Sequence, residues 1–198
     1  MSQQLRPDLE TIASNISAGT RVLDVGCGDG TLLAELQARH GVDARGMEIN
    51  AERVEKCVAR GLSVMQGDAD HDLAQYPDKA FDYTILSQTL QTAARPDRML
   101  DELLRVGKRA FVSFPNFAHW STRAALMFGG RMPVTKALPV NWYATPNIHH
   151  VTIADFRELL SEKDVSVEKQ WFFAGGKSVG AGTANWRAES AVFLLNRE

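Results

Sequence analysis

Val22-Leu23-Asp24-Val25-Gly26-Cys27-Gly28-Asp29-Gly30 decides how the rest of the 198-residue chain is read. Val22, Leu23 and Val25 make a short apolar run broken by one carboxylate, Asp24, and predict a buried strand. Glycines follow at three alternate positions, after which Leu32, Leu33 and Leu36 recur at helical spacing. Strand, glycine turn and helix in that order open the nucleotide-binding half of an α/β sheet. A turn without Cβ atoms lets a ligand approach the backbone and the helix N-terminus.

The glycine register selects the nucleotide. A dinucleotide fingerprint requires Gly-x-Gly-x-x-Gly, but its sixth position here is Thr31, and Gly30 comes one residue early. Asp24, two residues before the first glycine, would repel a diphosphate and attract a cationic head. The stretch resembles the first motif of the class I S-adenosylmethionine-dependent methyltransferases, Asp/Glu-x-Gly-x-Gly-x-Gly. That resemblance implies cofactor contacts from Asp24, Gly26, Cys27, Gly28 and Gly30. Cys27 reads as a small residue filling the turn, with a reactive thiol at a helix start as the alternative.

Composition narrows the function classes. The net charge is −2 and no basic stripe is visible, so no nucleic-acid partner is expected. No apolar run approaches the roughly eighteen residues that span a bilayer, and the N-terminus lacks a signal-peptide pattern, so the expectation is a cytoplasmic protein with no membrane partner. Cys27 and Cys57 read as reduced thiols, and residues 1–198 as a single domain.

Leu5, Leu9, Ile12 and Ile16 predict an amphipathic helix with Pro7 near its start, packed on the sheet, with a lid over the ligand or a partner surface as the alternatives. A second strand over Val42–Ile49 carries Glu48 near its end, where a carboxylate can accept both ribose hydroxyls of a nucleoside. Asn50 caps the next helix, with Val54, Cys57 and Val58 facing inward. A third strand, Leu62–Gln66, leads to Gly67-Asp68-Ala69-Asp70, where the resemblance to class I methyltransferases implies an acidic residue accepting from the adenine amine; Asp68 is the choice, with Ala69 beside it. A fourth strand, Phe81–Leu86, runs into Ser87-Gln88-Thr89-Leu90-Gln91, from which Gln88 joins the cofactor contacts. Gln91 stands about where many small-molecule methyltransferases carry a histidine, and glutamine is no general base.

A helix from Pro96 and a fifth strand, Ala110–Phe114, come before an insertion over residues 115–151 rich in aromatic residues, histidine and proline. Thr152 caps a last helix with Asp155. Strands over Val165–Phe173 and Ala191–Leu195 then close the sheet as a hairpin. Between them, Gly175–Gly182 would need glycine at Trp171 to be a phosphate loop, so it reads as a mobile surface loop.

Within the insertion, His149-His150 lacks the neighbours of a metal site, and no metal is expected. Arg123, Arg131 and Lys136 suit an anionic acceptor, an acidic partner patch or solvent. The aromatic residues suit a local core, an acceptor pocket or protein-binding hot spots. Should methyl transfer occur, Tyr143, His119 and His149 are the candidate bases.

Five segments sharpen the resemblance: the glycine stretch through Leu33, Gly46-Met-Glu-Ile-Asn50, Gln66-Gly-Asp-Ala-Asp70, Phe114-Pro-Asn-Phe-Ala-His-Trp120 and Arg131-Met-Pro-Val-Thr-Lys-Ala-Leu-Pro-Val-Asn-Trp-Tyr143. Together they resemble the bacterial methionine-biosynthesis MetW family. The resemblance implies a Rossmann-like class I methyltransferase fold: a seven-stranded, mostly parallel sheet with helices on both faces and a C-terminal antiparallel hairpin. It also implies S-adenosylmethionine or S-adenosylhomocysteine as cofactor, and a role in methionine synthesis as partner of the homoserine O-acyltransferase MetX. It names no methyl acceptor. Two readings stay open, a cofactor-binding partner protein and a small-molecule methyltransferase. The glycine register argues against a third, a dinucleotide-dependent oxidoreductase.

Overall fold

The alternation of apolar residues along five parallel strands builds two cores, one on each side of a single sheet. The computed structural model describes residues 5–135 and 138–197. In chain order the elements are α1 (Pro7–Ser14), β1 (Arg21–Val25), α2 (Thr31–His40), β2 (Asp43–Glu48), α3 (Ala51–Ala59), β3 (Ser63–Gln66), α4 (Ala69–Asp72), β4 (Phe81–Ser87), α5 (Pro96–Val106) and β5 (Gly107–Pro115). They continue with α6 (Trp120–Gly129), α7 (Ile153–Glu162), β6 (Ser166–Ala174), β7 (Lys177–Ser178), α8 (Ala184–Arg187) and β8 (Ser190–Asn196). The strand order is β3-β2-β1-β4-β5-β8-β6-β7. The first five are parallel, and β8 runs antiparallel to both β5 and β6.

Local chemistry fixes the boundaries. Gly30 (φ 73°) and Gly41 (φ 56°) take left-handed conformations at the two ends of α2. The Asn50 side chain accepts from the Arg53 amide at 3.1 Å to start α3. Thr152 and Asp155 bond reciprocally at the start of α7. Helix α5 buries Met99, Leu100, Leu103 and Leu104 on one stripe.

Successive strand residues point to opposite faces. Leu23, Val25, Leu86, Val112 and Phe114 pack with α5 and α7, where Phe156 stands 4.8 Å from Phe114 and 5.0 Å from Phe193, ring centre to ring centre. Val22, Ile85 and Phe111 pack on the other face against α1 and α2. The same alternation sends Asp24, Ser87 and Ser113 to the α1 side, at the carboxyl ends of their strands.

The structure departs from the sequence reading in five places. Among the described residues there are eight strands rather than seven, and the stretch from Gly175 begins with a regular hairpin turn rather than an irregular loop. Gly175 and Gly176 both have positive φ (54° and 77°), as a type I′ hairpin turn requires, so Lys177–Ser178 folds back on Phe173–Ala174 as β7. Helix α8 then follows, so α7 is not the last helix. Helix α1 stops at Ser14, because Asn15 leaves the helical conformation and its side chain bonds the Thr11 carbonyl at 2.9 Å; Ile16 is buried outside the helix. Val58 is exposed rather than inward, since one residue's step turns it about 100° from buried Cys57. Lys136 lies outside the described residues. Among the described residues, no helix is long and apolar enough to cross a membrane.

Candidate functional site

Because β2 and β3 lie on one side of β1, and β4 and β5 on the other, the connections part at the carboxyl ends of β1 and β4. Ligands of open α/β sheets bind at such a switch point. A cleft opens there in two halves, of about 420 Å³ and about 550 Å³, which share Gly26, Arg53, Gln88 and Thr89. The first half lies between the glycine turn and the start of α1. The second runs over the ends of β2 and β3.

The glycine turn is anchored by the Gly26 and Cys27 amides, which donate to the Met47 carbonyl at 2.8 and 3.1 Å. Its glycines do different jobs. A Cβ on Gly28 (φ 61°) would meet nothing within 4 Å, so it would project into open cleft. A Cβ on Gly30 (φ 73°) would run into the side chains of Leu62 and Cys57. Gly28 therefore leaves room for a ligand, while Gly30 lets α2 seat against α3.

Asp24 is 3% exposed at the floor of the first half. Burial pushes its carboxyl up to about 7, against the pull of the Arg6 guanidinium and with a small push from Glu48. A cationic group bound above it would hold it ionised. Glu48, 4% exposed, accepts from the Gly28 amide at 2.9 Å and the Asn50 amide at 3.0 Å. Those bonds fix its carboxylate between the glycine turn and the second half, and a carboxylate has acceptor capacity for about two more donors. Ile49, Ala69, Ala93 and Met99 supply apolar walls to that half.

Asp68 also borders the second half, as the cap of α4. Its side chain accepts from the Asp70 amide at 3.0 Å and stands 3.1 Å from His71 Nδ1. Gln88 takes a left-handed conformation (φ 55°), uncommon for a residue with a side chain, where β4 turns over the cleft. Burial raises the Cys27 thiol, as do the nearby Asp24 carboxylate and Cys57, so Cys27 fills the turn and is no thiolate nucleophile.

The cleft thus gathers Asp24, Gly26, Cys27, Gly28, Glu48, Asp68, Ala69 and Gln88, while Gly30 packs behind it. The candidate bases lie elsewhere. His119 Nδ1 is 2.7 Å from Ser121 Oγ at the start of α6. His149 sits where its amide and that of Ile148 donate to the Gln91 carbonyl at 3.0 and 2.9 Å. Tyr143 is on the exposed surface of the insertion. Among the described residues, no group of three or more His, Cys, Asp or Glu side chains could hold a metal ion.

Sequence reasoning offered α1 as a cover over the ligand but missed the polar contacts of Arg6 and Asp8 that hold it there. Asp8 is buried and accepts from Ser87 Oγ at 3.2 Å, Ser113 Oγ at 3.3 Å and Arg6 Nη2 at 3.2 Å. Arg6 also donates to Ser87 and borders the cleft with Leu5 and Leu9. The helix start thus both packs on the sheet and walls the ligand space. The one local signal was a pair of serines, Ser87 and Ser113, ending apolar strand faces that turn out to lie in register.

The family model described as "Methionine biosynthesis protein MetW" matches residues 6–195. The chain belongs to the MetW family. It is 36% identical, over 98% of its own length, to the "Bifunctional methionine biosynthesis protein MetXA/MetW" of Rhodopirellula baltica, of which it spans only 33%. Among solved structures it is similar to a SAM-dependent methyltransferase from Archaeoglobus fulgidus (TM-score 0.72, 18% identity, 97% of this chain and 92% of that one). It is also similar to an S-adenosylmethionine-dependent methyltransferase from Mesorhizobium loti (TM-score 0.70, 18% identity, 96% of each chain). The fold is accordingly the Rossmann-like methyltransferase fold, mostly parallel with an antiparallel C-terminal pair.

Proposed function

We propose that this chain binds S-adenosylmethionine or its demethylated product in the cleft and acts as the working partner of a MetX-type homoserine O-acyltransferase in methionine biosynthesis. The observation that carries the reading is a MetW-family relative joined to MetXA in one bifunctional protein, together with a cleft whose residues suit the nucleoside. The fit rests on the donor set. Asp24 would face the ammonium and sulfonium charges, Glu48 would accept from the ribose hydroxyls, and Gly28 leaves the space that a side chain would fill. Asp68, Ala69 and Gln88 would border the adenine.

Methyl transfer asks for in-line placement of an acceptor, and for many acceptors a base. No histidine, lysine or tyrosine lines the cleft among the described residues, and Tyr143, His119 and His149 stand away from it. Besides Cys27, the ionisable side chains that do line it are Arg6, Arg53 and carboxylates, and with Asp24, Glu48 and Asp68 assigned to the ligand the reading favours ligand sensing over turnover. Linkage then requires that an acyltransferase that binds the loaded form more tightly raise, in turn, the affinity for the cofactor.

The test is acyltransferase activity of the MetX-type enzyme from the same genome, alone and with this chain, with and without S-adenosylmethionine. Activity that changes at least several-fold with this chain, and co-elution of the two proteins, is the expected result. Unchanged activity with no co-elution, or steady turnover of labelled S-adenosylmethionine on a cell extract, contradicts the reading.

A further inference from the structure

The segment from Pro115 to Val151 contains no aspartate or glutamate, yet holds Arg123, Arg131 and Lys136, in a chain whose net charge is −2. Of the fourteen large apolar side chains standing exposed among the described residues, nine belong to this segment. Phe128 is 82% exposed, and Trp142 and Tyr143 72% each. So dense an apolar display on a chain that otherwise buries its hydrophobic residues in two cores marks a contact surface. It is shaped as well as apolar. A pocket of about 270 Å³ opens between Phe117, Met132, Leu138, Val140, Trp142 and His150, with the Phe117 and His150 rings 4.4 Å apart at its base.

We propose that this segment is the docking face for the acyltransferase, with the pocket taking one aromatic or branched apolar side chain from an acid-bearing patch of that enzyme. The inference rests on the partnership proposed above and adds its surface and chemistry. The charge pattern selects the occupant: exposed Arg123 and Arg131, in a segment without a carboxylate, disfavour pairing of this face with its own copy and complement an acidic one. Three cations in a segment of this length are too few for a nucleic-acid track. Phe128, Trp142 and Tyr143 have the residue types and exposure of interface anchors.

The face is tied to the cofactor cleft. The Gln91 carbonyl, which accepts from Ile148 and His149, belongs to the loop that begins with Gln88 and Thr89 on the cleft, and Pro146 reaches the cleft itself. Gln91 Oε1 and His149 Nε2 are both buried there without a partner among the described residues, so the junction has an unmade hydrogen bond on each side. A shift of the Gln88–Thr89 loop on ligand binding would therefore be felt at the docking face.

The experiment measures the affinity of the full chain for the acyltransferase by biolayer interferometry, and its S-adenosylmethionine binding by titration, for the wild type, Phe128→Glu, Trp142→Glu and Arg131→Glu. Val167→Glu, at a half-exposed position on β6, is the surface control. Phe128→Glu and Trp142→Glu are expected to weaken the complex by about 30-fold or more, the cost of losing a hot spot. Arg131→Glu should slow association and flatten its salt dependence. All variants should keep wild-type cofactor binding, which shows that they fold. A wild-type complex that the three variants leave unchanged overturns the surface alone. Absence of any wild-type complex overturns both the surface and the partnership. Variants that abolish self-association or RNA binding instead assign the face to that partner and overturn the proposal.

Discussion

Folding and ligand binding make opposite demands on Asp24. The folded chain favours its neutral form, because burial takes the carboxylate out of water, whereas a cationic ligand favours the ionised form. The sign follows from proton binding. With the folded value raised to about 7, the native state holds a proton that the unfolded chain has released from about pH 4 upward. Asp24 therefore lowers the stability of the ligand-free chain progressively as pH rises from about 4 to about 7. Asp24→Asn should remove that slope and raise stability at pH 7.5 by about 1–3 kcal/mol, measured by urea denaturation across pH. Its loss of ligand binding would mark the carboxylate as retained for the ligand against the interest of the fold.

Gly28 and Gly30 make a second contrast in the same turn. Gly30→Ala meets Cys57 and Leu62 and should cost about 2–4 kcal/mol of stability. Gly28→Ala meets open space and should cost about 1 kcal/mol, the penalty of a left-handed alanine, while losing ligand affinity at least tenfold. Denaturation curves and a ligand titration of both variants separate the two roles.

At the scale of elements, α1 is held to the sheet by polar bonds as well as by Ile12 and Ala13. Asp8→Ala would leave Ser87 and Ser113 without their shared acceptor and should cost about 1–3 kcal/mol. Amide exchange should speed up in α1 and at the end of β4 while β2 and β3 keep their protection. Uniform acceleration would mean that α1 is only packed, not pinned. These polar contacts were illegible in the sequence because the partners are 79 and 105 residues apart, and nothing near Asp8 distinguishes it from a solvated first-turn carboxylate. Local elements were legible for the opposite reason. Asn50, Thr152, Gly41 and the Leu100–Leu104 stripe each carry their instruction within a few residues. Gly175-Gly176 carried one too, a hairpin signal eclipsed by the comparison with a phosphate loop.

At the scale of the whole molecule, the glycine register and two acids, Asp24 and Glu48, pointed to a nucleoside cleft at the switch point, and the strand order supplies that point. Residues 115–151 carried family motifs, but their structural role was legible only as a composition. Their aromatic residues could have formed a core, and three-dimensional exposure distinguishes the display of Phe128 and Trp142 from the burial of Ala118 and Thr122. On the two proposals above, ligand chemistry lies over β1, β2 and β4 and contact chemistry on the insertion, with the Gln91 carbonyl joining them through the Ile148 and His149 amides.

The central claim is that the Asp24–Glu48 cleft takes a nucleoside bearing an ammonium-carrying amino-acid tail and not a dinucleotide, and titration calorimetry tests it most directly. Wild-type chain titrated at pH 7.5 with S-adenosylmethionine, S-adenosylhomocysteine and NAD should bind the first two at one site per chain and NAD not at all. Affinity for S-adenosylmethionine should fall as pH drops below about 7, where Asp24 takes up its proton, and Asp24→Asn should lower it at least 100-fold. Binding of NAD in preference, or S-adenosylmethionine binding that neither the lower pH nor Asp24→Asn disturbs, would contradict the account.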